Sequence, residues 1–203
     1  MKSLCNGVLN LICVSLFICV LSLPVRAQSS DNLQWGEALD GVQMSISEAG
    51  SVSTGLPNLR VTFQNNRKED VDLYLGIIGG SGPRPCLLDN RHIPCTFNFT
   101  LGLTDAAGKE RRFRFKGIMY VAGRLDPYIA WLRAGSTYAL DIGLDQFWAP
   151  EMKEYELKLT PGEDKIFLEF EGRTPDLMSH EQAINKMNFW KGTLRSNTLV
   201  IRR

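Results

Sequence analysis

Alternation of apolar and polar residues runs through most of this chain and directs it toward β-structure. Successive side chains of a strand point to opposite faces of its sheet, so a two-residue period indicates strands with one face buried. An amphipathic helix would instead repeat its apolar residues every three or four positions. Segments with the two-residue period begin at Val42, Leu59, Val71, Phe97, Phe113, Tyr138, Tyr155, Ile166 and Leu199.

Clusters of turn-forming residues separate these segments. Glycine, proline, asparagine and aspartate favour the backbone angles of turns. They concentrate in residues 64–70, 105–109, 133–136 and 160–164. About eight to nine short strands at this spacing predict an all-β fold, an antiparallel sandwich.

The segment from Pro175 to Trp190 departs from the strand pattern. It carries few β-branched residues, and Ser179 with Gln182 matches the capping box that begins many helices. We therefore expect a short helix near 175–190.

The first 27 residues have the features of a signal peptide. Lys2 precedes an apolar run from Val8 to Leu23, and Val25 and Ala27 occupy the −3 and −1 positions of a small-residue cleavage site. We predict cleavage after Ala27. The alternative is an uncleaved anchor, but the apolar run is shorter than the roughly 20 residues that a spanning helix needs.

Three segments follow from this interpretation: a signal peptide (1–27), a linker (28–34) and one sandwich domain (35–203). The rest of the chain contains no second apolar run that could cross a membrane, so no transmembrane segment is expected after cleavage. The predicted location is secreted or periplasmic. Acidic and basic residues nearly balance, which gives no reason to expect nucleic acid as a partner.

Cys86 and Cys95 are the two cysteines outside the predicted signal peptide. A pair of cysteines in an exported chain predicts a disulfide. Free thiols, a metal site and a redox site remain as alternatives. A structural zinc site needs four ligands, and only His92 lies near the two cysteines in sequence. The eight-residue spacing also differs from the C-x-x-C spacing of redox pairs.

The loop around these cysteines, residues 83–95, is a candidate binding loop. A stapled loop on a rigid scaffold loses little entropy on binding. The candidate contact residues are polar: Arg84, Asp89, Asn90, Arg91 and His92. The alternative is that the disulfide only secures a long connection.

Common catalytic and cofactor motifs are missing from the sequence. It lacks H-E-x-x-H, G-x-S-x-G, a glycine-rich loop ending in G-K-[ST] and a calcium loop. We therefore expect no catalytic residues, no metal and no cofactor. Carboxylate pairs suited to glycoside hydrolysis are present, namely Asp141 with Asp145 and Glu169 with Glu171, but alternation favours solvated strand faces.

Two further surface features carry predictions. The basic cluster of Arg111, Arg112, Arg114 and Lys116 is expected on the outer face of a strand, opposed by acidic neighbours. Asn98-Phe99-Thr100 matches an N-glycosylation acceptor, which would apply to Asn98 if the source is a eukaryote.

Segments at both ends of the chain resemble a family pattern. Leu159 to Phe170 contains an L-x-P-G turn before a strand, Trp190 to Ile201 has the pattern W-x-G-x-x-x-S-N, and Trp35-Gly36 opens the domain. They resemble immunoglobulin-like domains of secreted, mostly uncharacterised bacterial proteins. The resemblance spans residues 35–202 and implies an immunoglobulin-like sandwich and an envelope location, without implying an activity.

The sequence thus predicts a non-enzymatic protein that acts by binding. The partner class is an unknown protein or glycan of the cell envelope. Three alternatives stay open: a carbohydrate-binding module that uses an exposed tryptophan, a sandwich-type protease inhibitor, and a hydrolase with dispersed carboxylates.

Overall fold

A computed structural model describes residues 33–51, 56–80, 87–88, 91–92, 94–115, 124–148, 157, 159, 161–175 and 186–202. Within this part of the chain nearly all regular structure is antiparallel β-sheet, which confirms the all-β prediction. The predicted signal peptide and most of the predicted linker lie outside the described residues, so the predicted cleavage site stays a prediction.

The strand bounds follow the chain order. The strands are β1 (Val42–Ser51), β2 (Pro57–Asn65), β3 (Val71–Gly80), β4 (Leu87–Leu88), β5 (Arg91–His92), β6 (Pro94–Phe97), β7 (Phe99–Thr104), β8 (Glu110–Phe115), β9 (Arg124–Leu132), β10 (Thr137–Gly143), β11 (Phe147–Trp148), β12 (Glu163–Gly172), β13 (Gly192–Arg195) and β14 (Leu199–Arg202). A 3-10 helix, Leu144–Gln146, joins β10 to β11.

Three sheets and a small hairpin hold these strands. The β2 sheet has the order β1-β2-β10, and the β3 sheet has the order β6-β3-β9. The β12 sheet has the order β11-β8-β7-β12-β13, and β14 also pairs with β12. Strands β4 and β5 pair with each other. The immunoglobulin-like topology that the resemblance implies stays a prediction.

Aromatic rings join the sheets in one core. Phe63 of β2 meets Phe170 of β12 edge-on, with ring centroids 5.1 Å apart. Phe97 of β6 meets Phe115 of β8 in the same way at 4.8 Å. All four rings are buried, and such contacts stabilise by more than their buried area alone. The sheets therefore pack through their apolar faces, as in a sandwich.

Asn98 is the point at which the chain passes from the β3 sheet to the β12 sheet. The alternation from Phe97 to Leu103 predicts one strand, but the strand is interrupted at Asn98. The Asn98 backbone N–H donates to the Leu75 carbonyl, and its carbonyl accepts from the Glu171 N–H. Its side-chain Nδ2 donates to the Tyr74 carbonyl at 2.9 Å. Asn98 therefore links β3 to β12, and its glycosylation stays a prediction.

The described part of the expected helix near 175–190 is not α-helical. Residues 176–185 lie outside the described residues, but Asn188 to Trp190 run beside β3 as an extended segment. Asp72 donates its N–H to the Asn188 carbonyl, and Trp190 donates to the Asp72 carbonyl. These bonds occupy backbone groups that a helix would use internally, so the helix prediction is wrong for residues 188–190.

The Ser196-Asn197 pair fastens β1 and β12 at the point where β13 ends. The Asn197 side chain accepts from the Ile46 N–H at 2.7 Å and donates to the Ile46 carbonyl at 3.1 Å. Ser196 accepts from the Leu168 N–H through its Oγ at 3.0 Å. These two side chains therefore replace ladder hydrogen bonds between strands.

The raised pKa of Tyr138, in β10, predicts that the protein loses stability at alkaline pH. Burial raises its pKa above the ordinary value, and the hydrogen bond with Tyr128 at 2.7 Å raises it further. The folded protein therefore keeps the Tyr138 proton at a pH where the unfolded chain has lost it, so stability is lost as pH rises above about 10. We expect Tyr138→Phe to lose less stability than the wild type between pH 9 and 11 in urea unfolding; equal losses would contradict this account.

Candidate functional site

The predicted binding loop contains the β4–β5 hairpin. Leu87 lies opposite His92, and Leu88 lies opposite Arg91. Strand β6, which includes Cys95, then pairs with β3. The backbone alone is described for Arg91, His92 and Cys95, and the remaining predicted residues of the loop lie outside the described part: Arg84, Cys86, Asp89 and Asn90. The disulfide and the binding role of this loop stay predictions.

Of the carboxylates considered for hydrolysis, Asp141, Glu169 and Glu171 lie in strands, whereas Asp145 lies in the 3-10 helix after β10, so Asp141 and Asp145 do not share a strand face as predicted. Asp141 forms a two-point ion pair with Arg60, at 2.9 and 3.0 Å. The hydrogen bond to Asp141 raises the pKa of Arg60. Glu169 accepts from Arg112, which also pairs with Glu110 at 2.9 Å. These contacts fit the predicted solvated faces, and they place Arg112 opposite acidic neighbours as expected.

The residues behind the family resemblance serve the fold. Trp190 is 2% exposed and stacks on Phe170, with ring centroids 6.2 Å apart. A Cβ at Gly36 would lie 1.9 Å from the Arg195 carbonyl oxygen, so only glycine fits there. The opening Trp35-Gly36 segment thus packs against Arg195 and Ser196, at the end of β13.

Among the three tryptophans whose side chains the structure describes, one is exposed. Trp190 is buried and Trp35 is half-buried, whereas the side chain of Trp131 is 76% exposed. Its neighbours in β9, Ala130 and Leu132, are both buried. The pleat of β9 therefore turns the largest side chain of the strand outward, away from the described core.

Trp131, Asp72 and Phe189 form a row across the outer face of the β3 sheet, which we name the Trp131 row. Trp131 lies opposite Asp72 in the antiparallel pair of β9 with β3. Phe189 lies beside Asp72 in a parallel bridge on the other side of β3. Partners in a bridge share a face of the sheet, and the next residues, Leu132 and Trp190, are buried on the opposite face. The row thus places a carboxylate between two aromatic side chains.

A second row runs parallel to the first, two residues further along β3. Ile129 lies opposite Tyr74 and is half-buried. The Arg173 guanidinium lies over the Tyr74 ring, 6.0 Å from its centroid, and also donates to Asn98 Oδ1 at 3.4 Å. The Tyr74 ring is thus covered, whereas Trp131 in the first row is exposed.

Strand β9 could not be found from alternation. Tyr128 to Leu132 is a continuous apolar run, and Pro127 precedes it. Proline is tolerated here because β9 is an edge strand of the β3 sheet. The apolar run was itself a sequence signal for β9, since a short apolar run is consistent with a buried strand. The sequence does not show which of its residues faces outward.

Within the described ranges, no helix is long and apolar enough to cross a membrane. The same part of the chain holds no cluster of three or more His, Cys, Asp or Glu side chains that could bind a metal ion. A scan against protein-family models finds no match to this chain, and a search of curated proteins finds none either.

Proposed function

We propose that this protein is a secreted or periplasmic, non-enzymatic binding protein and that it binds its partner on the Trp131 row. The observation that carries the proposal is the 76% exposure of Trp131 beside Asp72 and Phe189 on a regular sheet. The apolar leader and the cysteine pair support an exported location.

An exposed tryptophan on a rigid strand is suited to partner binding. Its side chain has only two torsions to fix, so it buries a large apolar area on binding at a small entropic cost. Tryptophan is enriched among the residues that dominate interface energetics. Because Trp131 is 76% exposed, we expect its removal to leave the core unchanged.

The stapled loop at residues 83–95 is a separate contact hypothesis. Its backbone hairpin is joined to β6, and β6 pairs with β3, which also carries Asp72. We propose that the loop adds polar contacts to the same partner. The ligand class, a protein or a glycan of the envelope, is addressed by the experiments below.

We expect Trp131→Ala to abolish partner retention without destabilising the fold. The protein would be immobilised under oxidising conditions and exposed to envelope extract of the source organism. Loss of one dominant interface residue corresponds to at least about a tenfold loss of retained partner. The free energy of unfolding should change by less than about 0.5 kcal/mol, since the side chain is exposed.

Val200→Ala is the matched control for this experiment. Val200 is also an exposed apolar residue, 39% exposed, but it lies in β14 of the β12 sheet. The Val200→Ala variant should retain as much partner as the wild type does. Equal retention by all three proteins would refute binding at the Trp131 row, and retention lost equally in both variants would show that the contact is nonspecific.

A further inference from the structure

Asp72 is a half-buried carboxylate whose charge has no cationic partner in the described chain. Its Oδ2 accepts from the Asn188 N–H at 2.8 Å, and its backbone N–H and carbonyl are both bonded to the same segment. Asp141 and Glu169, by contrast, each pair with an arginine. Among the described residues, neither Lys nor Arg forms an ion pair with Asp72. A cation is therefore the complementary group.

The aromatic neighbours of Asp72 are placed to hold a cation above it. Adjacent chains in a sheet lie about 4.8 Å apart, so Trp131 and Phe189 flank Asp72 at about 10 Å from each other. A cation bonded to the Asp72 carboxylate therefore has one aromatic residue on each neighbouring chain, close enough in backbone spacing for a ring face to approach it within the roughly 6 Å that cation–π attraction requires.

The β12 sheet contains the same combination with its cation in place. The Arg112 guanidinium lies over the Phe167 ring, 4.9 Å from its centroid, and donates to the Glu169 carboxylate. Arg195 stacks on the same ring at 3.6 Å. A guanidinium suits this arrangement because it is planar, weakly hydrated and able to bond a carboxylate while stacked on a ring. The Trp131 row offers the carboxylate and the rings without the guanidinium.

We propose that the Trp131 row binds an arginine side chain of a partner polypeptide, with the guanidinium above Asp72 and beside Trp131. The inference rests on the proposed function, since it names the ligand of the same row. Alternating aromatic and charged side chains favour this occupant over a purely apolar one. A glycan is a distinct outcome of the test.

The test uses the purified exported form (residues 28–203) and the tripeptide N-acetyl-glycyl-arginyl-glycinamide. The readout is the NMR signal of the Trp131 indole N–H, identified by its loss in Trp131→Phe. We expect a saturable shift with a Kd on the order of 1 mM, as suits a single side chain. The matched citrulline peptide, which is similar in shape but uncharged, should bind at least about fivefold more weakly.

Asp72→Asn is the matched protein variant, because its side-chain oxygen can still accept from the Asn188 N–H. Asp72→Asn should weaken binding of the arginine peptide at least about fivefold. The indole N–H signal of the free variant should stay at its wild-type position. Equal binding of the citrulline peptide, unchanged binding to Asp72→Asn, or a shift caused by soluble glycans alone would overturn the arginine proposal. If Trp131→Ala also retains the extract partner fully, the proposed function itself fails; if it loses the partner, that function stands.

Discussion

Replacing Trp190 by alanine is expected to destabilise the fold by about 4 kcal/mol, because it opens a cavity in a closely packed region. The Trp190 ring stacks on Phe170, and a Cβ at Gly172 would lie 2.2 Å from it. Its Nε1 is buried and has no hydrogen-bond partner among the described residues, so the expected loss is one of packing. Phe170 and Gly172 beside it lie in β12, whose pairing limits how far they can move into the vacated volume.

Urea unfolding of Trp190→Ala beside Trp131→Ala measures this difference. Both variants remove an indole, but Trp190 is 2% exposed and Trp131 is 76% exposed. The Trp190 variant should also melt roughly 10 °C below the wild type, whereas the Trp131 variant should melt with it. Similar losses in the two variants would contradict the assignment of Trp190 to the core and of Trp131 to an exposed face.

Replacing Asn65 by alanine is expected to lower the free energy of unfolding by about 3 kcal/mol, because it removes three hydrogen bonds to the backbone, one of them buried. Asn65 is fully buried at the end of β2. Its Nδ2 donates to the carbonyls of Glu69 and Leu132, at 2.8 and 3.0 Å. Its Oδ1 accepts from the Arg67 N–H at 2.9 Å. One side chain thus joins the end of β2, the following loop and the end of β9.

Asn66→Ala is the control for this prediction, since Asn66 is exposed and its backbone N–H makes the bond to Gly41. It should change the free energy of unfolding by less than about 0.5 kcal/mol. Thermal unfolding of the two variants measures the difference. A loss below 1 kcal/mol for Asn65→Ala would mean that water replaces the three bonds.

Alternation predicted the strands whose two faces differ in polarity. Val42, Met44 and Ile46 of β1 and Leu59, Val61 and Phe63 of β2 all lie in the core as their period requires. It failed at β9, where residues on both faces are apolar, and at Asn98, where one alternating run serves two sheets. Periodicity describes which way side chains point, and it contains no information about when a strand changes its partner.

The candidate site could not be assembled from the sequence for a related reason. Asp72, Trp131 and Phe189 come from three distant segments, and they meet through the register of β9 with β3 and one parallel bridge. Register depends on packing of the whole sheet. The sequence suggested that a tryptophan could bind a ligand, but four were present and only burial separates Trp131 from Trp190. The loop at 83–95 was recognisable because its residues are contiguous.

Photo-crosslinking in the source organism is the most direct test of binding at the Trp131 row. The photoreactive benzoylphenylalanine would replace Trp131 in one protein and Val200 in another, and adducts would be separated by mass after irradiation. We predict a discrete adduct from position 131 and none from position 200. No adduct from position 131, or the same adducts from both positions, would contradict the assignment of this row as the binding surface.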